Sequence, residues 1–398
     1  MARTESDVAV VGGGPAGLTA AIALASAGLA TTLVAGRRPT DNRTTALLAT
    51  SVTALDTIGV WASCRQFAAP LRTMRIIDDT RRLWRAPETR FSASEIGLDA
   101  FGWNIENQHL VAALAERARA LANLAWIDDS ARAVAIGEGS VAVALAAGDE
   151  IVARLVVGAD GHNSLCRAAA GIETQGWSYR QTALTFNLGH SRAHQDISTE
   201  FHTESGPFTL VPLPGPRSSL VAVVADAGHL DAEDAATLAE EIERRSHSIL
   251  GKITVEPGHG KFPLAVQTAR RFASRRIALV GEAAHVMPPI GAQGLNLGLR
   301  DAAVIAELTA HAHRTGSDIG GVAVTDRYEH IRRADVTART VAVDILNRSL
   351  LSDFLPVQGA RGLSLYLLQR LGPLRRAVMR EGAMPAVSQP RLMRGEAL

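Results

Sequence analysis

The sequence predicts an α/β fold with three parts: a Rossmann-like dinucleotide-binding domain, an inserted antiparallel-β domain and a helical C-terminus. Three observations carry this. A buried strand runs straight into a glycine-rich turn and a helix near the N-terminus. From about Trp177 the pattern changes to short β-type runs separated by Gly/Pro turns, before strands of the first kind return near residue 277. Beyond residue 325 the pattern is helical almost to the end.

Residues 7–11 form a continuous apolar run, followed by Gly12-Gly13-Gly14-Pro15-Ala16-Gly17 and an alanine-rich stretch to Ala27, with Gly28 placed to end the helix. Residues 31–35 supply the next strand, so the chain opens as a βαβ unit with a parallel sheet buried on both faces. From Met74 to Arg85, apolar residues flank Asp78-Asp79-Thr80 as in a β-hairpin. A helix is expected over 106–122 and a buried strand over 151–157. Several β runs follow over 181–226, then a helix over 235–250, a strand over 277–281 and a helix from Gly294 to Ala312. The domain boundaries that follow place 1–73, 104–176 and 271–345 in the nucleotide domain, 74–103 and 177–270 in the inserted domain, and 346–398 in the C-terminal region.

Composition excludes several classes. A net charge of +1 with 4% aromatic residues provides neither the basic stripe nor the stacking platform of a nucleic-acid binder. Two cysteines, Cys64 and Cys166, cannot build a disulfide framework or a metal knuckle. No segment approaches twenty uninterrupted apolar residues, and the N-terminus enters a strand too early for a signal peptide. The expected location is cytoplasmic, at most peripheral on the inner face of a membrane. His190 and His194 have a spacing that could bind metal on a helix, but they fall in a strand-rich stretch without a further ligand, so no metal is expected. No G-x-S-x-G elbow or Ser-His-Asp order supports hydrolysis.

Gly12, Gly14 and Gly17 fit G-x-G-x-x-G between a strand and a helix. The first glycine allows the tight turn, the second lets backbone reach a pyrophosphate, and the third lets helix and strand pack closely. The acid that usually binds ribose at the end of the second strand is replaced by Ala35, with Arg37 and Arg38 beyond it. Taken alone, that exchange suits the 2′-phosphate of NADP. A second motif, Gly158-Ala159-Asp160-Gly161-His162-Asn163-Ser164 with Arg167, closes a buried strand. The third, Gly281-Glu282-Ala283-Ala284-His285, continues through Pro288-Pro289-Ile290-Gly291-Ala292-Gln293-Gly294-Leu295-Asn296. There a strand end delivers a carboxylate suited to the hydroxyls of a ribityl chain. A proline pair forces an extended loop, and glycines open a new helix whose first amides suit a polar ring edge or a diphosphate.

In these three motifs the sequence resembles the class A flavin monooxygenases, the family of para-hydroxybenzoate hydroxylase, and within it the ubiquinone-biosynthesis hydroxylases. The resemblance covers roughly residues 7–301. Asp41-Asn42-Arg43-Thr44-Thr45-Ala46-Leu47 resembles the family's arginine segment near the flavin. The helix beginning Asn107-Gln108 resembles a segment that touches the cofactor, and Phe208 to Leu213 resembles its GP-x-x-x-LPL strand. The resemblance implies FAD as cofactor and NADH or NADPH as reductant. Gly12, Gly14, Ala16, Gly17, Arg37, Arg43, Gln108, Asp160, Gly161, Gly281, Glu282, Pro289, Gly291, Gly294, Leu295 and Asn296 are then the cofactor contacts. Arg43, Pro289 and Gly291 would lie nearest the reactive side of the flavin. It also implies oxygen transfer from O2 to an electron-rich ring, with a prenylated phenol on the route to ubiquinone as substrate.

Two departures from the family pattern stand out: Ala35 in place of the ribose-binding acid and Glu282 in place of the more usual Asp. Phe201, Phe208 and Leu210 are candidates to line a channel for the apolar tail, or else plain core. Over residues 341–380, leucines and Phe354 alternate with Arg348, Arg361, Arg370, Arg375, Arg376 and Arg380. This pattern suits a membrane surface or a partner in a biosynthetic complex. Other readings stay open: a hydroxylase of a small soluble aromatic, a flavin- or NADP-binding reductase, and a non-catalytic scaffold for which Ala35 and Glu282 are the support.

Overall fold

The computed structural model describes the chain except for Met1, 37–40, 81–84, 226–229, 231–233, 352–361, 363, 365, 369 and 385–388. For residues 346, 350 and 351 only the backbone is described.

The β-branched run Val8–Val11 forms the middle of an eight-stranded sheet. Its parallel part runs Ile277–Leu279, Glu150–Gly158, Arg3–Val11, Thr31–Val34, Leu124–Ile127. The carboxyl halves of its strands are buried on both faces. The alanines of the helix Pro15–Ser26 are nearly all buried, since their small side chains let this helix lie close against both the sheet and the long helix Gln293–Arg314. The register aligns Val11 with Gly158 and Val34, and Gly158 with Leu279. Gly12, Ala35, Ala159 and Val280 therefore leave the sheet together at its carboxyl edge, where open α/β sheets bind ligands.

A second, nine-stranded sheet is mostly antiparallel. Its order is His285–Val286, Gly260–Ala269, Thr174–His190, Arg217–Val224, Gly206–Leu213, Ile197–Thr203, Thr73–Asp78, Thr89–Ser92, with Ile253–Val255 also paired to the end of Thr174–His190. A small sheet of Thr44–Leu48, Gly102–Glu106 and Ala68–Pro70 lies between the two. The helix Val322–Leu351 links the large sheets: Tyr328 donates its hydroxyl to Leu279 O in the first, and Asn347 donates to Gln181 in the second.

One expectation needs correction and one open choice is decided. The hairpin placed within 74–85 is wider: Thr73–Asp78 pairs with Thr89–Ser92, because Asp78 spends its carboxylate on Thr80 and on the Ala86 amide, pinning a broad connection rather than a tight turn. Of the two readings left open for Phe201, Phe208 and Leu210, the structure bears out plain core. They pack with Leu184, Leu220, Leu238 and Ile242 beneath the helix Ala235–Arg245, on the sheet face turned away from the first domain. Strand alternation gives the opposite face to Thr185, Asn187, Thr209, Ser219 and Val221.

Candidate active site

The three glycine-bearing motifs meet at the carboxyl edge of the first sheet. Gly12 has φ +118°, and a Cβ there would fall 2.1 Å from Ala159 O; a Cβ on Gly17 would fall 2.0 Å from Gly12 O. The first and second motifs thus touch backbone to backbone, and only glycine permits it. The first and third touch as well, since a Cβ on Gly281 would lie 3.2 Å from Ala16 Cβ.

Two helix N-termini open onto this junction. Pro15–Ser26 begins at Gly14 with proline in its first turn and no side-chain cap. Gln293–Arg314 begins after Gly291 (φ +66°) and Ala292 (φ +54°), also without a cap. Unclaimed N–H groups at both ends favour negative or carbonyl oxygen. Glu282, Pro289, Gly291 and Gly294 are exposed beside them, Gly161 and Leu295 are half-buried, and Asn296 is buried.

Several predicted contacts already have partners. Asp160 accepts from Ser164 Oγ at 2.6 Å and from the Cys166 amide at 3.0 Å, which makes it the anchor of the short helix Leu165–Ala169. Asn296 bridges to the strand Thr44–Leu48, accepting from Leu48 N at 2.8 Å and donating to Ala46 O at 2.8 Å. That fixes the Arg43 segment to the third motif. Arg43 forms a two-point ion pair with Asp41 (2.8 and 2.7 Å) and lies over the Phe262 ring, half exposed. The hydrogen bond from Asp41 raises its pKa; burial opposes this, and Asp41 and Glu282 add charge attraction. Gln108 is half-buried, but its neighbour Asn107 organises the segment, donating to Asp41 and accepting from Thr45. Arg37 lies outside the described residues.

Behind the third motif is a buried ionic cluster that sequence reasoning missed. Asp301 accepts from His285 Nε2 at 2.7 Å, Arg332 Nε at 2.6 Å and the Gly281 amide at 2.9 Å. Asp335 accepts from Arg332 and Arg300 at 2.7 and 2.8 Å. Burial pushes the Asp301 carboxyl up, but His285 and Arg332 outweigh it and hold it below its ordinary value. His285 therefore fixes the motif loop.

A cleft lies between the Asn42–Thr44 segment and the second sheet, lined by Arg43, Thr44, Thr185, Asn187, Ser219 and Val221. Its walls are tied together at one end: Arg217 pairs with Glu256 at 2.6 Å and Glu106 at 3.3 Å, and Asn187 donates to Asn42 O at 2.9 Å. His190 and His194 take no part. His190 pairs with Ser218 Oγ, and His194 with the carbonyls of Leu213 and Gly215.

The family model described as "FAD binding domain" matches residues 5–342, taking in all three motifs and both walls of the cleft. The chain belongs to this family. Among its relatives, "Ubiquinone hydroxylase UbiL" of Rhodospirillum rubrum is 36% identical, covering 98% of this chain and 93% of that protein. "3-demethoxyubiquinol 3-hydroxylase" of Escherichia coli is 29% identical over 96% of this chain and 99% of its own. The same fold recurs in p-nitrophenol 4-monooxygenase PnpA of Pseudomonas putida, with TM-score 0.78 and 22% identity over 96% and 97% of the two chains. It recurs again in Klebsiella pneumoniae HpxO complexed with FAD and uric acid, with TM-score 0.76 and 20% identity over 95% and 97%. The residues present fit FAD. A side chain would fill the cradle at Gly12 and Gly17, two uncapped helices face it, and Glu282 stands exposed at the strand end. Ala35, at the end of the second strand, has no side-chain group that could bond a ribose.

Proposed function

We propose that the chain is an FAD-dependent monooxygenase that hydroxylates the ring of a polyprenylated phenol in ubiquinone biosynthesis, with NADH or NADPH as reductant and O2 as co-substrate. Residues 1–73, 104–176 and 271–345 bind FAD, and 74–103 with 177–270 bind substrate. The observation that carries this reading is the junction of the three motifs, to which Asn296 ties the strand that follows Arg43 in the cleft wall. Two full-length relatives named as ubiquinone-pathway hydroxylases support the substrate class.

Bound FAD would supply the electrons and activate O2. The chain's own work is to bind and orient. Backbone at Gly12, Gly14, Ala16, Gly17 and Gly161 cradles the diphosphate. Glu282 meets the ribityl hydroxyls. Pro289, Gly291, Gly294 and Leu295 border the ring, and Arg43 offers positive charge where negative charge accumulates on reduction. Asn296 and Asp160 act through the segments they hold, and Gln108 lies at the rim.

No described helix is long and apolar enough to cross a membrane. The C-terminal helix Gly372–Ala383 packs Met379 and Ala383 against Phe91, with Arg375 bound to Glu95. Its other side exposes Leu371, Leu374 and Val378 beside Arg376 and Arg380, with Tyr366 and Leu367 just before. An apolar stripe flanked by arginines suits an anionic lipid surface, which is where a polyprenylated substrate resides. Leu346, Leu350, Leu351, Phe354, Arg361 and Leu365, which belonged to the expected surface, have no described side chains. Incubation of the FAD-loaded protein with reduced nicotinamide, O2 and a prenylated phenol should give a product heavier by one oxygen atom. Consumption of nicotinamide without any such product, from prenylated and small phenols alike, would defeat the proposal.

A further inference from the structure

The cleft's sheet face carries a carboxylate–histidine pair that no step so far uses. Val221, in the cleft wall, is paired across the sheet with Thr209, and Thr209 with Glu200. Directly paired residues share a face, so Glu200 sits two strands from Val221, about 10 Å away, on the side turned toward Arg43 and Thr44. His202 is the next residue of that strand on the same face. Its Nε2 lies 2.8 Å from Glu200 Oε1, and Thr209 Oγ1 donates to Glu200 Oε2 at 3.4 Å. His202 is 4% exposed, and its Nδ1 has no partner among the described residues.

A buried imidazole nitrogen without a partner costs free energy, so such atoms call for an explanation. More such atoms occur in the helix that reaches this sheet face. Asn347 donates its amide to Gln181, which lies on the same sheet face, yet its Oδ1 is unpartnered, as is Thr340 Oγ1 two turns earlier. The charge arrangement defines the tautomer. Glu200 is the acceptor opposite both His202 Nε2 and Thr209 Oγ1. An ionised Glu200 takes the Nε2–H and leaves the Nδ1 lone pair free. The neighbouring Asp78, across from His202, accepts from Thr80 and from the Ala86 amide.

We propose that Glu200 and His202 form a proton-accepting dyad for the ring hydroxyl of the substrate, a role that rests on the hydroxylase reading above. The ring O–H bond breaks and an Nδ1–H bond forms. The electron pair stays on the ring oxygen, and the imidazolium is stabilised by the Glu200 carboxylate. A phenolate ring is more electron-rich and so a better acceptor for the incoming oxygen atom. After transfer the proton returns from Nδ1 to the product's ring oxygen, leaving the dyad unchanged.

The test uses the FAD-loaded protein and 2-geranyl-4-nitrophenol, whose phenolate absorbs in the visible. At a pH one unit below the probe's solution pKa, wild type should bind it as the phenolate. His202→Gln and Glu200→Gln should bind it as the neutral phenol, with FAD titration and circular dichroism matching wild type. A shift of one to two units in the bound probe's pKa, a ten- to hundredfold change in ionisation, is the expected difference. A phenolate band retained in both variants, or absent from wild type, overturns the dyad. Wild type that hydroxylates a prenylated phenol but shows no phenolate band defeats the dyad alone. A phenolate band in wild type only, without hydroxylation of any phenol, keeps the dyad and defeats the hydroxylase reading.

Discussion

Replacing Asp301 by asparagine removes one charge from the buried cluster and changes almost no volume. Asp301 is fully buried, and its two oxygens serve Arg332, His285 and the Gly281 amide. Asparagine offers one acceptor and one donor, so either Arg332 or the His285–Gly281 side would face an N–H. Arg332, with 1% of its side chain exposed, would keep only Asp335 as counter-charge. Breaking a buried pair from one side costs about 3–5 kcal/mol, and the surviving Asp335 contact sets the expectation near 3 kcal/mol. Because the Gly281 amide loses its anchor next to Glu282, FAD affinity should also fall about tenfold, the scale of one hydrogen bond to a charged group. Urea unfolding followed by circular dichroism, with a parallel FAD titration, measures both. A stability loss below about 1 kcal/mol, the net value of an ordinary hydrogen bond, would refute the role given to this cluster.

Other outcomes follow from the same geometry. Ala35→Glu should tighten FAD binding about tenfold by supplying the missing ribose acceptor. The gain stays small because Ala35 is 6% exposed and lies against Gly13, so the new side chain must leave the core. Isothermal titration decides this: loss of NADPH binding with FAD unchanged would reassign the site. Asp335 is pushed up by burial but held down more strongly by Arg332 and Arg300, from 3.8 to about 2. Its folded pKa is lowered, so its contribution of about 2 kcal/mol is present above pH 4 and is lost as the pH falls toward 2. Asp335→Asn should flatten that stretch of the stability profile; an unchanged slope would count against it. The double change Leu374→Glu and Val378→Glu should abolish co-sedimentation with anionic vesicles while leaving FAD affinity intact, and unchanged co-sedimentation would rule out this helix as the membrane contact.

The nucleotide-binding half was legible because its signals are local. In the first two motifs a strand, a glycine turn and a helix occupy consecutive residues, and the third spreads the same parts over one proline loop. Helices predicted over 106–122 and from Gly294 to Ala312 correspond to Asn107–Arg119 and Gln293–Arg314. What the sequence hid depends on which residues meet across long separations. Phe201, Phe208 and Leu210 are apolar in a substrate-domain sheet, but their direction was set by register with neighbouring strands, which sent them under the helix Ala235–Arg245. Asp301, Arg332 and Asp335 sit on two helices, and nothing in either helix alone marks them as buried charges. The same holds for Glu200 and His202, which gain meaning only once Thr209 and Val221 connect their strand to the cleft.

Whether the chain is a monooxygenase is decided by the origin of the oxygen atom added to a prenylated phenol. With FAD, reduced nicotinamide and isotopically labelled O2, mass spectrometry of the product should find the label on the ring in a single atom per turnover. Product carrying oxygen from water, with the label appearing only in peroxide, would contradict the monooxygenase reading.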